Sequence, residues 1–179
     1  MRVVGGSERG RPLRSPKGGE VRPTSDRVRE AVFNMLDTLG GVEEATVADL
    51  FAGTGALGIE ALSRGATSAV FVERDRAAAA LVQTNLDALG LADRGRVVRL
   101  DVVRWLDAAV PVDVAFADPP YSFGDWAAVL ERVPAALLVA ESNRELDLGA
   151  RWELLRCKHY GSTVVHVART ALDGPGDLR

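Results

Sequence analysis

One cysteine, two histidines and two lysines among 179 residues set the first limits on this chain. With Cys157 alone, no internal disulfide can form, which suits a reducing cytoplasm. His159, His166 and that cysteine make a poor zinc set, so no metal is expected and all three read as strand residues that pack or face solvent. No apolar run approaches the length of a membrane span. Met1-Arg2-Val3-Val4-Gly5-Gly6 has no apolar leader, so the expectation is a cytoplasmic protein without membrane contact. A net charge of −3 argues against a chain that is basic all over.

What is present fits one domain with a modest appendage: 47% of residues are hydrophobic, enough for a core. The charge is uneven. Residues 1–30 hold eight Lys/Arg against four acids, a net +4 that leaves −7 for the remainder. A basic segment on an acidic body suits a local polyanion contact, and also suits a solvated surface. Lys17 and Lys158 are the only lysines, and arginine suits phosphate recognition. Arg2-Val3-Val4 and Arg11-Pro12-Leu13-Arg14 flank a Gly-rich turn and predict a small hairpin or extended arm. Ser15 to Pro23 reads as a linker, which divides the chain into an arm over 1–23 and a domain over 24–179.

Thr24 or Ser25 then caps a helix whose inward face is Val28, Ala31, Val32, Met35, Leu36 and Leu39, stopped by Gly40-Gly41. From Thr46 strands and helices alternate. Strands are predicted at 47–51, 69–73, 97–100, 112–117 and 137–140, and helices at 55–64, 75–89, up to Trp105, and 126–132. The tail reads as a hairpin turning at Tyr160-Gly161. Alternation implies an α/β fold with a mostly parallel sheet covered on both faces. Ligands in such sheets bind at the carboxyl ends of the strands. Asp49, Glu73, Asp101 and Asp118 each fall at or near such an end, and folding alone gives little reason for four acids at one edge.

Asp49-Leu50-Phe51-Ala52-Gly53-Thr54-Gly55-Ala56-Leu57-Gly58 is a strand, a G-x-G-x-x-G turn and a helix start. Glycines let the chain turn tightly and let a ligand approach the backbone. Glu73 closes the next strand, where a carboxylate can take both ribose hydroxyls of an adenosine. A dinucleotide and S-adenosylmethionine share this logic. An acid at Asp49 would repel a pyrophosphate and attract a sulfonium and an ammonium, which favours S-adenosylmethionine. Asp101 either accepts from the adenine amino group or caps the following helix.

Asp118-Pro119-Pro120-Tyr121 follows the apolar strand Val112 to Ala117. Two prolines stiffen the turn and hold a carboxylate beside an aromatic face. Such a turn can accept hydrogen bonds from a planar NH2 group while Tyr121 stacks on the base that carries it. It also reads as a proline-stiffened turn with a capping acid. Phe123 and Trp126 could close over that base, or pack, the simpler reading for Trp126.

The glycine segment resembles motif I of class I S-adenosylmethionine-dependent methyltransferases, and Asp118 to Tyr121 resembles their amino-methylating motif IV. Met1 to Gly6, Arg9-Gly10-Arg11, the segment Arg22 to Ala31 and the segment Leu50 to Gly65 resemble the bacterial 16S rRNA guanine-N2 methyltransferases of the RsmD family, in order along nearly the whole chain. The resemblance implies a seven-stranded Rossmann-like fold with its last strand antiparallel. It implies catalytic residues Asp118, Pro119, Pro120 and Tyr121. It implies cofactor contacts at Thr24, Arg27, Asp49, Phe51, Ala52, Gly53, Thr54, Gly55, Gly58, Glu73, Arg74, Asp101, Val102 and Asp118. RNA would meet Arg2, Arg9, Arg11, Arg14, Lys17, Arg22 and Tyr121. The implied substrate is one guanine of 16S rRNA in the small ribosomal subunit, and the implied state is a monomer. Three rivals stand beside it: an adenine-N6 methyltransferase, a non-catalytic RNA-binding module and a dehydrogenase. The last would need neither Asp118 nor Tyr121 and lacks room for a substrate domain.

Overall fold

The computed structural model describes residues 1–16 and 25–171. Lys17, Arg22 and Thr24 lie outside the described residues. The elements run α1 (Asp26–Asp37), β1 (Thr46–Leu50), α2 (Ala56–Ser63), β2 (Ser68–Val72), α3 (Arg76–Leu89), β3 (Gly95–Val98), α4 (Val102–Trp105), β4 (Val112–Ala117), α5 (Trp126–Arg132), β5 (Ala135–Ser142), β6 (Trp152–Tyr160) and β7 (Thr163–Thr170). A 3-10 turn, Leu106–Ala108, extends α4.

The strands form one sheet in the order β3-β2-β1-β4-β5-β7-β6. Strands β1 to β5 pair in parallel, and β7 runs antiparallel to both β5 and β6. This is the Rossmann-like sheet expected, with its reversed last strand. The chain builds outward from β1 to β3, then returns to lay β4 on the other side of β1. The order therefore reverses between β1 and β4, where a crevice opens at the carboxyl ends of the strands.

Period-two side-chain direction sorts the core into two faces. Val47, Phe71, Val114, Phe116 and Val139 join one cluster with Val32, Phe33, Leu36, Ile59, Leu62, Val82 and Leu86 of α1, α2 and α3. Ala48, Leu50, Val72, Ala115, Ala117 and Leu138 join the other with Val102, Trp126, Val129 and Leu130 of α4 and α5.

The N-terminal residues do form a hairpin, closed by an antiparallel bridge between Arg2 and Pro12. It is docked rather than free: Val3 and Leu13 are buried in the first cluster. Beneath it lies an ionic group that the helical pattern did not foretell. Arg29 and Glu60 are both fully buried. Glu60 accepts from the backbone N–H of Val4 (2.8 Å) and Gly5 (2.7 Å) and from Arg64 Nε (2.9 Å). Arg29 lies 3.5 Å from Glu60 and donates to the Arg2 carbonyl and to Asp26. The inward face of α1 is thus Val28, Arg29, Val32, Phe33 and Leu36, while Ala31, Met35 and Leu39 are only half-buried.

Other boundaries also differ from expectation. Strand β3 starts and ends two residues earlier, because Leu100 already turns back to the Val98 carbonyl. Strand β5 runs to Ser142, since β7 pairs along its whole polar end. The hairpin turn sits at Gly161-Ser162, with Gly161 at φ +63°.

Candidate functional site

Strand β1 delivers the chain to the crevice through a turn that L-residues disfavour. Phe51 is held at φ +63°, Gly53 at +56° and Gly55 at +78°. A bulky residue in the left-handed region is strained, and such strain gathers at functional turns. Gly58 has a different reason: a Cβ there would lie 2.3 Å from the Phe71 ring and 3.1 Å from Asp49 Cβ. Only hydrogen lets α2 pack this close to β1 and β2.

Asp49 is 2% exposed, and its Oδ2 accepts the Gly58 N–H at 2.8 Å. Burial pushes its carboxyl up to about 8; the Gly58 bond opposes this, and the charges of Asp118 and Glu73 add to it. Glu73 is half-buried at the end of β2 and accepts from Gly53 N (2.9 Å) and Asp75 N (2.8 Å). Asp101 fulfils its capping reading, accepting from Val103 N at 3.0 Å at the start of α4, and also lies on the crevice.

The crevice has a volume of about 730 Å³, in the range of small-molecule sites. Of the predicted cofactor residues, Phe51, Gly53, Glu73, Arg74, Asp101, Val102 and Asp118 line it. Asp49, Ala52, Thr54, Gly55 and Gly58 are not among its lining residues; they build the turn behind it. Arg27 is exposed on α1 and is likewise not a lining residue, whereas Ser25 and Val28 are.

Pro119, Pro120 and Tyr121 line the same crevice. Pro119 is buried, and the turn closes through Phe123 N to the Pro120 carbonyl at 2.8 Å. Tyr121 is 39% exposed, with its hydroxyl 3.0 Å from Thr163 Oγ1. Phe123 lines the crevice and stacks edge-on between Phe51 (4.9 Å) and Trp126 (5.7 Å). Trp126 is buried, so it packs the turn from behind.

Among the lining residues that were missed, Thr163 and Glu141 stand beside the Asp-Pro-Pro-Tyr turn. Thr163 starts β7, and nothing in its local sequence marks it. Glu141 is 3% exposed yet lines the crevice beside Pro119 and Tyr121. Its signal was available: an acid directly after the apolar run Leu137 to Ala140, the pattern that singled out the other four.

The geometry of the glycine turn leaves little room for a pyrophosphate. A pyrophosphate would need the amides at the start of α2. There Asp49 already takes the Gly58 N–H, and only in its ionised form would it favour a cation.

On the hairpin, Arg2, Arg9, Arg11 and Arg14 are all exposed. Arg11, however, pairs with Glu8 at 2.7 Å and donates to the Ala88 carbonyl at 2.5 Å, near the end of α3. It serves the molecule's own helix terminus. Asn85 ties the same hairpin to the glycine turn, donating to the carbonyls of Arg14 and Thr54.

His166 is buried on β7 and accepts from Leu146 N at 3.2 Å; burial lowers its pKa. Cys157 and His159, together with Glu145, bring ligand-type atoms within 4.8 Å of one another on the outer hairpin. His159 lies 3.2 Å from Glu145 there. Among the described residues, no helix is long and apolar enough to cross a membrane.

Comparison with known proteins agrees with this geometry. The family model described as "Conserved hypothetical protein 95" matches residues 1–169. Ribosomal RNA small subunit methyltransferase D of Escherichia coli K12 is 37% identical over 99% of this chain and 93% of its own. YlbH of Bacillus subtilis is 40% identical over 83% of this chain and 85% of its own. The solved structure of the Escherichia coli protein yhhF superposes with a TM-score of 0.84 at 36% identity, covering 95% of this chain and 97% of that one. With a glycine turn and an Asp-Pro-Pro-Tyr turn facing one crevice of a Rossmann-like class I fold, and with this match along nearly its whole length, the chain belongs to the RsmD family.

Proposed function

We propose that this protein transfers a methyl group from S-adenosylmethionine to the exocyclic N2 of one guanine in 16S rRNA. The single observation that carries this reading is the meeting of two chemistries in one crevice. Phe51 and Gly53 of the glycine turn, with Glu73 and Asp101, line it together with Asp118 to Tyr121. Relatives that carry the name Ribosomal RNA small subunit methyltransferase D support rRNA as the substrate. The assembled small subunit is the expected target, with the protein acting as a monomer in the cytoplasm.

S-adenosylmethionine, when bound, supplies an electrophilic methyl group. Glu73 would accept the ribose hydroxyls, and Asp101 the adenine amino group. The Asp49 charge would favour the sulfonium and ammonium through the turn. Asp118 and the Pro119 carbonyl accept the two hydrogens of N2. They draw its lone pair out of conjugation with the ring and aim it at the methyl carbon. Positioning and electrostatics supply the rate gain. The proton then passes from N2 to Asp118 or to water. Tyr121 and Phe123 flank the splayed-out base, since chemistry on a base needs it unstacked. Arg2, Arg9 and Arg14, with Lys17 and Arg22, would track phosphates.

The test is transfer of labelled methyl to small-subunit particles, naked rRNA and DNA, with Asp118→Ala as control. N2-methylguanine in particles, reduced on the order of 100-fold or more by the substitution, supports the reading. Label on adenine N6, or on DNA alone, would overturn the substrate.

A further inference from the structure

We propose that Glu141 selects guanine by accepting its N1–H, a role distinct from that of Asp118. The inference rests on the N2-methylation reading and deepens it. Glu141 stands near the carboxyl end of β5, where Ala117 pairs with Ala140 in parallel register. Asp118 comes directly after Ala117 and Glu141 directly after Ala140, so the two acids leave adjoining strands at the same edge of the sheet. Both line the crevice, and Glu141 also faces the recess formed by Pro119, Pro120 and Tyr121. Glu141 is 3% exposed. With the amino group of a base held at Asp118, a carboxylate on the adjoining strand is placed to meet the ring position beside that amine.

In guanine that position is N1–H, a donor. In adenine the ring nitrogen beside the amino group is an acceptor. A carboxylate accepts and does not donate, so the same residue that holds guanine sets two acceptors against each other with adenine. A site built to bond a substrate N–H discriminates far more strongly than one built on shape. The pair therefore divides the work. Asp118 positions the reacting nitrogen, and Glu141 checks the atom next to it.

The experiment uses 2-aminopurine, which keeps the exocyclic amine of guanine but carries an acceptor at N1. Small-subunit particles are reconstituted on rRNA bearing either base at the position that the wild-type protein methylates. The wild-type protein should prefer guanine by kcat/KM at least about 100-fold. Glu141→Gln can donate to the ring nitrogen, so its preference should fall at least about tenfold, chiefly through better use of 2-aminopurine. Glu141→Asp keeps the charge but withdraws it, and should lose guanine turnover without gaining 2-aminopurine. S-adenosylmethionine affinity should be unchanged in both. An unchanged base preference in Glu141→Gln, with guanine still methylated, overturns this role and leaves the N2 reading intact. A wild-type protein that methylates no guanine N2 overturns both.

Discussion

A carboxylate under the glycine turn is held against the solvation that it would have in the unfolded chain. The folded, cofactor-free protein keeps a proton on Asp49 up to about pH 8, whereas the ordinary value is 3.8. The unfolded chain thus binds fewer protons across that interval, and the contribution of Asp49 to stability falls as pH rises from about 4 to about 8. Asp49→Asn should raise the melting temperature on the order of 5 °C at pH 8 and less at pH 5, read by thermal unfolding without cofactor. The same substitution should weaken S-adenosylmethionine binding, because a cation nearby favours the ionised form. Wild-type affinity should therefore rise with pH toward 8, with proton release visible by calorimetry in buffers of different ionisation enthalpy. Residue types at strand ends made Asp49, Glu73, Asp101 and Asp118 legible from the sequence. Glu141 was equally legible, following Ala140 as Asp118 follows Ala117, whereas Thr163 was not, because its position depends on a pairing between distant strands.

At the level of elements, α1 shows where pattern reading stops. Its period placed Val28, Val32 and Leu36 correctly, but Arg29 is turned inward by a partner on α2 that no local window contains. Glu60 is the hub of that arrangement, receiving two backbone amides and Arg64 while facing Arg29. Removing one charge from a buried ionic group leaves the others uncompensated. Glu60→Gln should destabilise the protein by roughly 3–5 kcal/mol, measured by urea unfolding. Accelerated amide exchange at Val4 and Gly5 should accompany it. A surface ion pair would give less than about 1 kcal/mol. The docked hairpin also reaches the site, because Asn85 joins Arg14 to Thr54 in the glycine turn.

For the molecule as a whole, alternation of strands and helices gave a parallel sheet, but not its order. The order came only with the structure, since local pattern does not say which side of β1 receives β4. Charge was read only as a sum over the first thirty residues, and the structure divides that sum by role. Arg9 is exposed, whereas Arg11 is bound to Glu8 and to the end of α3. Arg9→Ala should lower rRNA affinity and reduce the slope of log K against log salt by roughly 0.7 to 0.9, leaving the melting temperature unchanged. Arg11→Ala should do the reverse, with a stability loss of about 1 kcal/mol and little change in slope. Glu60 carries one more consequence, in the order of assembly. The amides of Val4 and Gly5 are synthesised 56 and 55 residues before the carboxylate that receives them. Closing so long a loop is slow relative to forming a local turn, so the first residues made are among the last to be finished. The hairpin matures only after the helix that follows the glycine turn is in place.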